Sequence, residues 1–207
     1  MSQIFKLIIL LLILPTNLYA GYHGGKLLLK KDFSKVNSSF ETDYRYNNTG
    51  LYYKHYDLGL EKPLAQNWYI GLNYRAIYVL KNNQWRLEKR PHMQIKKIIN
   101  TDLVKFSLRA RLEYRYKSDD SESARNRSKL AVKSQYRIFK LKPFISNEWF
   151  YDLDQEKYNK NWLALGAEFP KHKFGKFSIY YKYVTDLELD NNWSSSYSIV
   201  SKLSYKF

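Results

Sequence analysis

The chain has 207 residues, with 35 Lys and Arg against 19 Asp and Glu, a formal net charge of +16. It has no cysteine, so a disulfide scaffold, a zinc finger and a cysteine nucleophile are excluded. Its mean hydropathy is −0.58 and its one long apolar run, Leu7 to Leu14, is too short for a bundle of membrane helices. The 20 Tyr, 11 Phe and 5 Trp make it too aromatic for a solvated basic tail.

Taken in chain order, residues 1–20 read as a secretory signal. Lys6 precedes the apolar run, Pro15 breaks it, and Leu18-Tyr19-Ala20 ends on a small residue suited to cleavage. An exported chain weakens the first idea that basic charge and aromatics suggest, nucleic-acid binding. Residues 21–37 form an N-terminal lead-in, in which Lys26 to Phe33 does not fall into the pattern that follows.

From residue 38 to 207 the chain alternates apolar and polar side chains. Phe40, Thr42, Tyr44 and Tyr46 oppose Glu41, Asp43 and Arg45; Tyr56, Leu58 and Leu60 oppose His55, Asp57 and Glu61. Trp68 to Tyr78 and Trp85 to Ile99 continue the alternation. It is clearest in Val104 to Lys117, where Phe106, Leu108, Ala110, Leu112, Tyr114 and Tyr116 share one face and Lys105, Arg109, Arg111, Glu113, Arg115 and Lys117 the other. Successive strand side chains point to opposite sides, so this is a strand with one greasy and one charged face. Leu141 to Asp152 is ambiguous in phase because Asn147 and Glu148 are adjacent. Leu163 to Phe169, Phe177 to Tyr183 and Trp193 to Phe207 complete the series. An alternating last strand ending on an aromatic, here Phe207, resembles the signal read by the barrel-insertion machinery of Gram-negative outer membranes.

A soluble antiparallel sheet also alternates, but its buried face favours Val, Ile and Leu. Here the apolar face carries Tyr and Trp near strand ends, as interfacial girdles require, and the other face is charged on almost every strand. Strands in lipid must close on themselves. The expected fold is all-β, a single antiparallel transmembrane barrel of about ten strands, twelve being possible, with short periplasmic turns and modest outer loops. Lys54, Lys89 and Lys97 fall in the apolar phase and are expected near strand ends, where lysines snorkel.

The stretches Trp85 to His92, Ser107 to Arg115, Arg125-Asn126-Arg127 and Pro143 to Phe150 resemble the conserved segments of an uncharacterised family of small bacterial outer-membrane barrels, a domain of unknown function. The resemblance covers nearly the whole mature chain and implies a fold and a location in the outer membrane of a Gram-negative bacterium, with no established activity. One departure is Asn161-Trp162, where the family pattern implies an arginine ahead of Leu165-Gly166. A fainter similarity, in size and arginine-rich strands, is to small porins for acidic sugars.

The inward phase of the central strands holds a basic wall of Arg86, Arg90, Arg109, Arg111, Arg115, Arg125 and Arg127, joined by Lys96, Lys105, Lys117, Lys129, Lys133 and Arg137. Its acidic partners are Glu88, Glu113, Glu148 and Glu168, with further acids at Glu41, Asp43, Asp57, Glu61, Asp152 and Asp186. On one reading these charges pair across a narrow barrel and close it. On the alternative, Arg90, Arg109, Arg111, Arg115 and Arg127 form a ladder for small anions or acidic oligosaccharides in a narrow pore. Catalysis has little support: only His55 and His92 lie within strands, and Ser107 or Ser146 would have to meet His92. No spacing suggests a metal, and no cofactor is expected. Outer-membrane lipid and lipopolysaccharide are the expected surroundings, with Lys54 and Lys89 near headgroup phosphates.

Overall fold

The computed structural model describes residues 22–188 and 190–207. The expected signal segment lies outside the described residues. Eleven strands follow one another: β1 (Tyr22–Asp32), β2 (Asn37–Asn47), β3 (Gly50–Ala65), β4 (Trp68–Lys81), β5 (Gln84–Asn100), β6 (Val104–Lys117), β7 (Glu122–Ser134), β8 (Lys142–Asp152), β9 (Lys157–Glu168), β10 (Lys176–Leu187) and β11 (Trp193–Lys206). Each pairs antiparallel with the next, and β1 pairs with β11 to close the barrel.

The closing pair is parallel, with His23 opposite Ile199 and Lys30 opposite Lys206. An odd number of up-and-down strands permits no other closure, because the first and last run the same way. Tyr22–Asp32, expected in an N-terminal lead-in, is therefore a strand of the barrel. The all-β barrel of about ten strands is thus what the chain forms, with eleven strands. The strand escapes a period-two reading because Leu27, Leu28 and Leu29 are consecutive, although Leu28 lines the lumen between Lys26 and Lys30. The barrel has two distinct rims: the start of β1 lies at one, called here the N-terminal rim, and the end of β11 at the other, the C-terminal rim.

The expected contrast between short turns and longer loops is also absent. Connections span two to five residues at the N-terminal rim and two to seven at the C-terminal rim. The two longest are themselves narrowed by bridges, Ile138 to Leu141 and His172 to Gly175. Asn82-Asn83, both at positive φ, make the two-residue turn whose twist matches a hairpin. Phe139-Lys140 adopt the same left-handed backbone. In the β6–β7 turn the Ser121 hydroxyl and amide both donate to Asp119, and these bonds hold its carboxyl below the usual range.

Strand polarity is inverted relative to a water-soluble barrel. Leu58, Leu60, Leu72, Met93, Leu108, Leu112, Ile145 and Leu165 are exposed on the outer surface. Trp85, Tyr116, Tyr158 and Trp193 flank that band toward the N-terminal rim, and Tyr136, Phe139 and Phe207 toward the other. The interior holds buried Asp43, Asp57, Arg75, Glu88, Arg111, Glu113, Arg125, Arg127 and Glu148. The ambiguous strand β8 is resolved: Ser146, Glu148, Phe150 and Asp152 are buried inside, while Ile145 and Trp149 are exposed. Asn147 faces outward, where its carbonyl accepts a hydrogen bond from Asn161 at 2.7 Å.

Two of the three outward lysines fold over tryptophans near strand ends, and Lys89 is exposed on β5. Lys54 places its ammonium 4.5 Å from the Trp85 ring centre, and Lys97 lies 4.8 Å from that of Trp68. Pro91 interrupts the β5–β6 ladder, in which Arg90 and Pro91 have no partner. A proline offers no amide to donate there.

Candidate functional site

The site grows from the alternation itself. Because the polar phase of each strand points inward, neighbouring strands stack their charges in rungs. Between β6 and β7 the inward rungs are Lys105 with Lys133, Arg109 with Lys129, Arg111 with Arg127 and Glu113 with Arg125. Like charges placed directly opposite repel, so these rungs need carboxylates from elsewhere in the barrel.

Glu113 supplies the centre. Its side chain is fully buried. Arg127 Nη1 donates to its Oε1 at 2.6 Å and Arg125 Nε to its Oε2 at 2.8 Å. Arg111 Nη1 lies at 3.3 Å, with Arg90 at 3.9 Å and Arg75 at 4.0 Å. One carboxylate therefore gathers guanidinium groups from β4, β5, β6 and β7. Arg111 also donates to Gln94 at 2.8 Å.

Satellite pairs surround this waist. Glu148 accepts from Arg109 at 2.5 Å and from Arg127 at 2.9 Å. Glu88 holds Arg90 at 2.7 Å and Arg115 at 2.6 Å. Asp57 accepts from Arg75 and from Asn73, each at 2.6 Å. Glu168 meets Lys133 at 2.6 Å. Thus Arg90, Arg109, Arg111, Arg115, Arg125 and Arg127 come together with Glu88, Glu113 and Glu148 as one connected network. Glu168 joins a separate pair, and its partner is a lysine.

Two residues of the expected wall stand elsewhere. Arg86 is exposed near the start of β5 and makes no ion pair among the described residues. Arg137 is exposed in the β7–β8 connection, where it donates to the Lys140 carbonyl at 2.8 Å. Both lie where the strand has left the packed lumen, so in-phase spacing alone overextended the wall.

The opposite wall carries cations that a focus on the central strands missed. Asp43, fully buried, meets Arg45 at 2.8 Å and Lys26 at 2.9 Å. Glu41 meets Lys202 at 2.9 Å, reaching past β1. Glu61 meets Lys96 at 2.6 Å, past β4. Asp186 pairs with Lys160. The alternation already put Arg45 and Arg75 in the polar phase, so this part of the network was open to a sequence reading. The place of Lys26 was not, because its strand was not recognised.

Aromatic and aliphatic groups fill the space the ion pairs leave. Ile77 and Phe150 are fully buried inside the barrel. Trp162 packs edge-on against Phe150 at 4.7 Å between ring centres. Cations surround its indole: Lys182 at 4.6 Å, Arg127 at 5.2 Å and Arg45 at 5.7 Å, the last reaching across the lumen from β2 to β9. The tryptophan found where an arginine was expected thus serves as a shared π-face for the cations. Gly166 sits beside it in phase. A Cβ there would stand 2.3 Å from Tyr180 Cβ, so the glycine lets the Phe144 and Tyr180 rings meet at 5.9 Å over the strand.

The histidines are part of the same polar filling. His92 Nδ1 lies 3.2 Å from the Arg90 carbonyl and its Nε2 lies 3.8 Å from Asp57. Among the described residues no hydrogen bond joins it to Ser107 or Ser146. His55 Nδ1 is 3.0 Å from the Tyr53 hydroxyl, and its Nε2 is 3.5 Å from Glu41. A cavity of about 1470 Å³ remains inside the ring, lined by charged residues of every strand from β1 to β11.

No curated protein is matched by the chain. The model of the family described as Protein of unknown function (DUF2490) matches residues 25–195, from within β1 to within β11. With most of the barrel covered by that match, the chain belongs to this family of unknown function.

Proposed function

We propose that this protein is an outer-membrane β-barrel whose lumen is closed to ion flow by its own arginine–carboxylate network. The inverted polarity supports the membrane reading, with exposed leucines outside and buried carboxylates inside. Aromatic residues flank the apolar band at both rims, and closure leaves no unpaired sheet edge. Lys54 and Lys97, each folded over a tryptophan, fit the snorkelling posture of lysines at the two interfaces.

The observation that carries the closed lumen is Glu113. It is fully buried and holds Arg125 and Arg127 at hydrogen-bond distance, with three further arginines within 4.0 Å. An ion crossing this waist has to separate a buried charge pair, and breaking such a pair costs about 3–5 kcal/mol. The anion-ladder alternative needs free guanidinium groups along the pore. The arginines proposed for it, Arg90, Arg109, Arg111, Arg115 and Arg127, are each engaged by a carboxylate.

Reconstitution in planar bilayers tests the reading. The wild-type protein is expected to insert without steady conductance in symmetric salt. A sustained anion-selective current would overturn closure and restore the pore.

A further inference from the structure

The lumen holds more cations than its carboxylates can pair, and most of the surplus stands at one end. Every arginine lining the cavity lies within 4.0 Å of a carboxylate, on Asp43, Asp57, Glu88, Glu113 or Glu148. Among the described residues, the Lys and Arg side chains lining the cavity without such a partner are all lysines. Lys30, Lys105, Lys171, Lys173 and Lys176 belong to the C-terminal rim, while Lys129 on β7 and Lys182 on β10, the latter over the Trp162 ring, lie deeper. The acids at that end are already occupied: Glu61 by Lys96, Glu168 by Lys133 and Asp32 by Lys206.

The backbone register sets three of these lysines directly opposite another cation. Lys105 lies opposite Lys133, and two rungs deeper Lys129 lies opposite Arg109. Lys30 lies opposite Lys206 across the parallel seam. Directly opposed like charges destabilise a sheet. Glu168, Glu148 and Asp32 neutralise Lys133, Arg109 and Lys206, but they leave Lys105, Lys129 and Lys30 without a carboxylate of their own, and a bound anion would supply one. The lysines line a concavity walled by protein, where low-dielectric walls focus the positive potential.

We propose that the C-terminal end of the lumen is a binding vestibule for a compact, soluble, multiply charged phosphate. The chemistry of the free groups selects the class. A guanidinium offers a planar fork suited to a single carboxylate, and here those forks are taken. A lysine offers a mobile point charge with three donors, which responds to charge density and not to planar geometry. Lysines from β1, β6, β7, β10 and the β9–β10 turn converge from several directions, matching a small chain of phosphates better than one flat carboxylate. Lys105 points into the ring, and Lys30, Lys171, Lys173 and Lys176 are exposed around its mouth. The proposal rests on the barrel and its lumen, not on closure of the waist, so binding and conductance fail separately.

Isothermal titration calorimetry tests it on the full chain folded in zwitterionic detergent at low ionic strength, with sodium tripolyphosphate as the probe. Saturable binding is expected, tighter than that of citrate or orthophosphate. The double variant Lys105→Ala/Lys176→Ala is expected to weaken it about tenfold or more through the lost local potential. These lysines make no ion pairs, so the barrel is expected to stay folded, which heat-dependent gel mobility verifies. Lys54→Ala, on the outer surface, is expected to leave binding unchanged. The proposal is overturned by absent saturation, by equal affinity in wild type and the double variant, by citrate binding as tightly as tripolyphosphate, or by loss of binding in Lys54→Ala, which would put the phosphate at the headgroup surface.

Discussion

At the scale of single residues, Glu113 decides how the lumen is held. A carboxylate completely out of water is tolerated because Arg111, Arg125 and Arg127 hydrogen-bond to it. Those same arginines repel one another, so the arrangement is stable only as a unit. Glu113→Gln keeps the shape and removes the charge, leaving Arg125 and Arg127 facing each other with less compensation. The variant is expected to lose roughly 3–5 kcal/mol, as for a broken buried ion pair. Urea unfolding in detergent, followed by tryptophan fluorescence, reads this as a lowered midpoint. An unchanged midpoint would show that the network contributes little to stability. Arg86→Ala, at the exposed start of β5, is the matched control and is expected to shift nothing.

At the scale of elements, β1 sets the architecture. It joins β2 on one side and β11 on the other, turning a ten-stranded sheet into a closed ring of eleven. It also delivers Lys26 to Asp43, which is otherwise balanced by Arg45 alone at ion-pair distance apart from a weak approach by His55. Removing residues 22–32 would expose the free edges of β2 and β11, and exposed edges pair with other chains. Such a truncation is expected to aggregate on refolding, and size-exclusion chromatography in detergent checks it. A monodisperse, folded product would mean that β2 and β11 close without it. The parallel seam is slightly less stable per residue than an antiparallel pair. The Lys206–Asp32 and Lys202–Glu41 pairs reinforce this seam from its end and its lumen side.

At the scale of the whole molecule, the ion pairs behave as an internal frame that spans neighbouring strands. Arg109 on β6 reaches Glu148 on β8, Lys133 on β7 reaches Glu168 on β9, and Lys96 on β5 reaches Glu61 on β3. These links cross one strand each, so a local opening of one hairpin breaks contacts on its neighbours. The barrel is therefore expected to unfold as one unit. Unheated samples should migrate as a compact band in detergent gels and shift in a single step on heating. Two or more bands at intermediate temperature would contradict cooperative closure. The excess positive charge is distributed unevenly over this frame, with arginines balanced at the waist and most of the unpaired lumen lysines at the C-terminal end.

What the sequence determined by itself was the alternation and therefore the fold class. Period two assigned Leu58, Leu72 and Leu112 to one face and Asp57, Arg90 and Glu113 to the other, because each strand residue can face only two ways. It also picked out the arginines and glutamates that meet. It did not determine the strand count, because three consecutive leucines mask β1. It did not separate paired arginines from free lysines, and it overextended the wall to Arg86. Those outcomes depend on which rungs lie at the same height around a closed ring. Register between distant strands, such as β2 with β9 or β6 with β8, arises from closure and is not encoded in the spacing of any one strand. Only the tertiary structure therefore decided that Glu113 would be the centre of the waist and that most of the unpaired lysines lining the lumen would stand at one end.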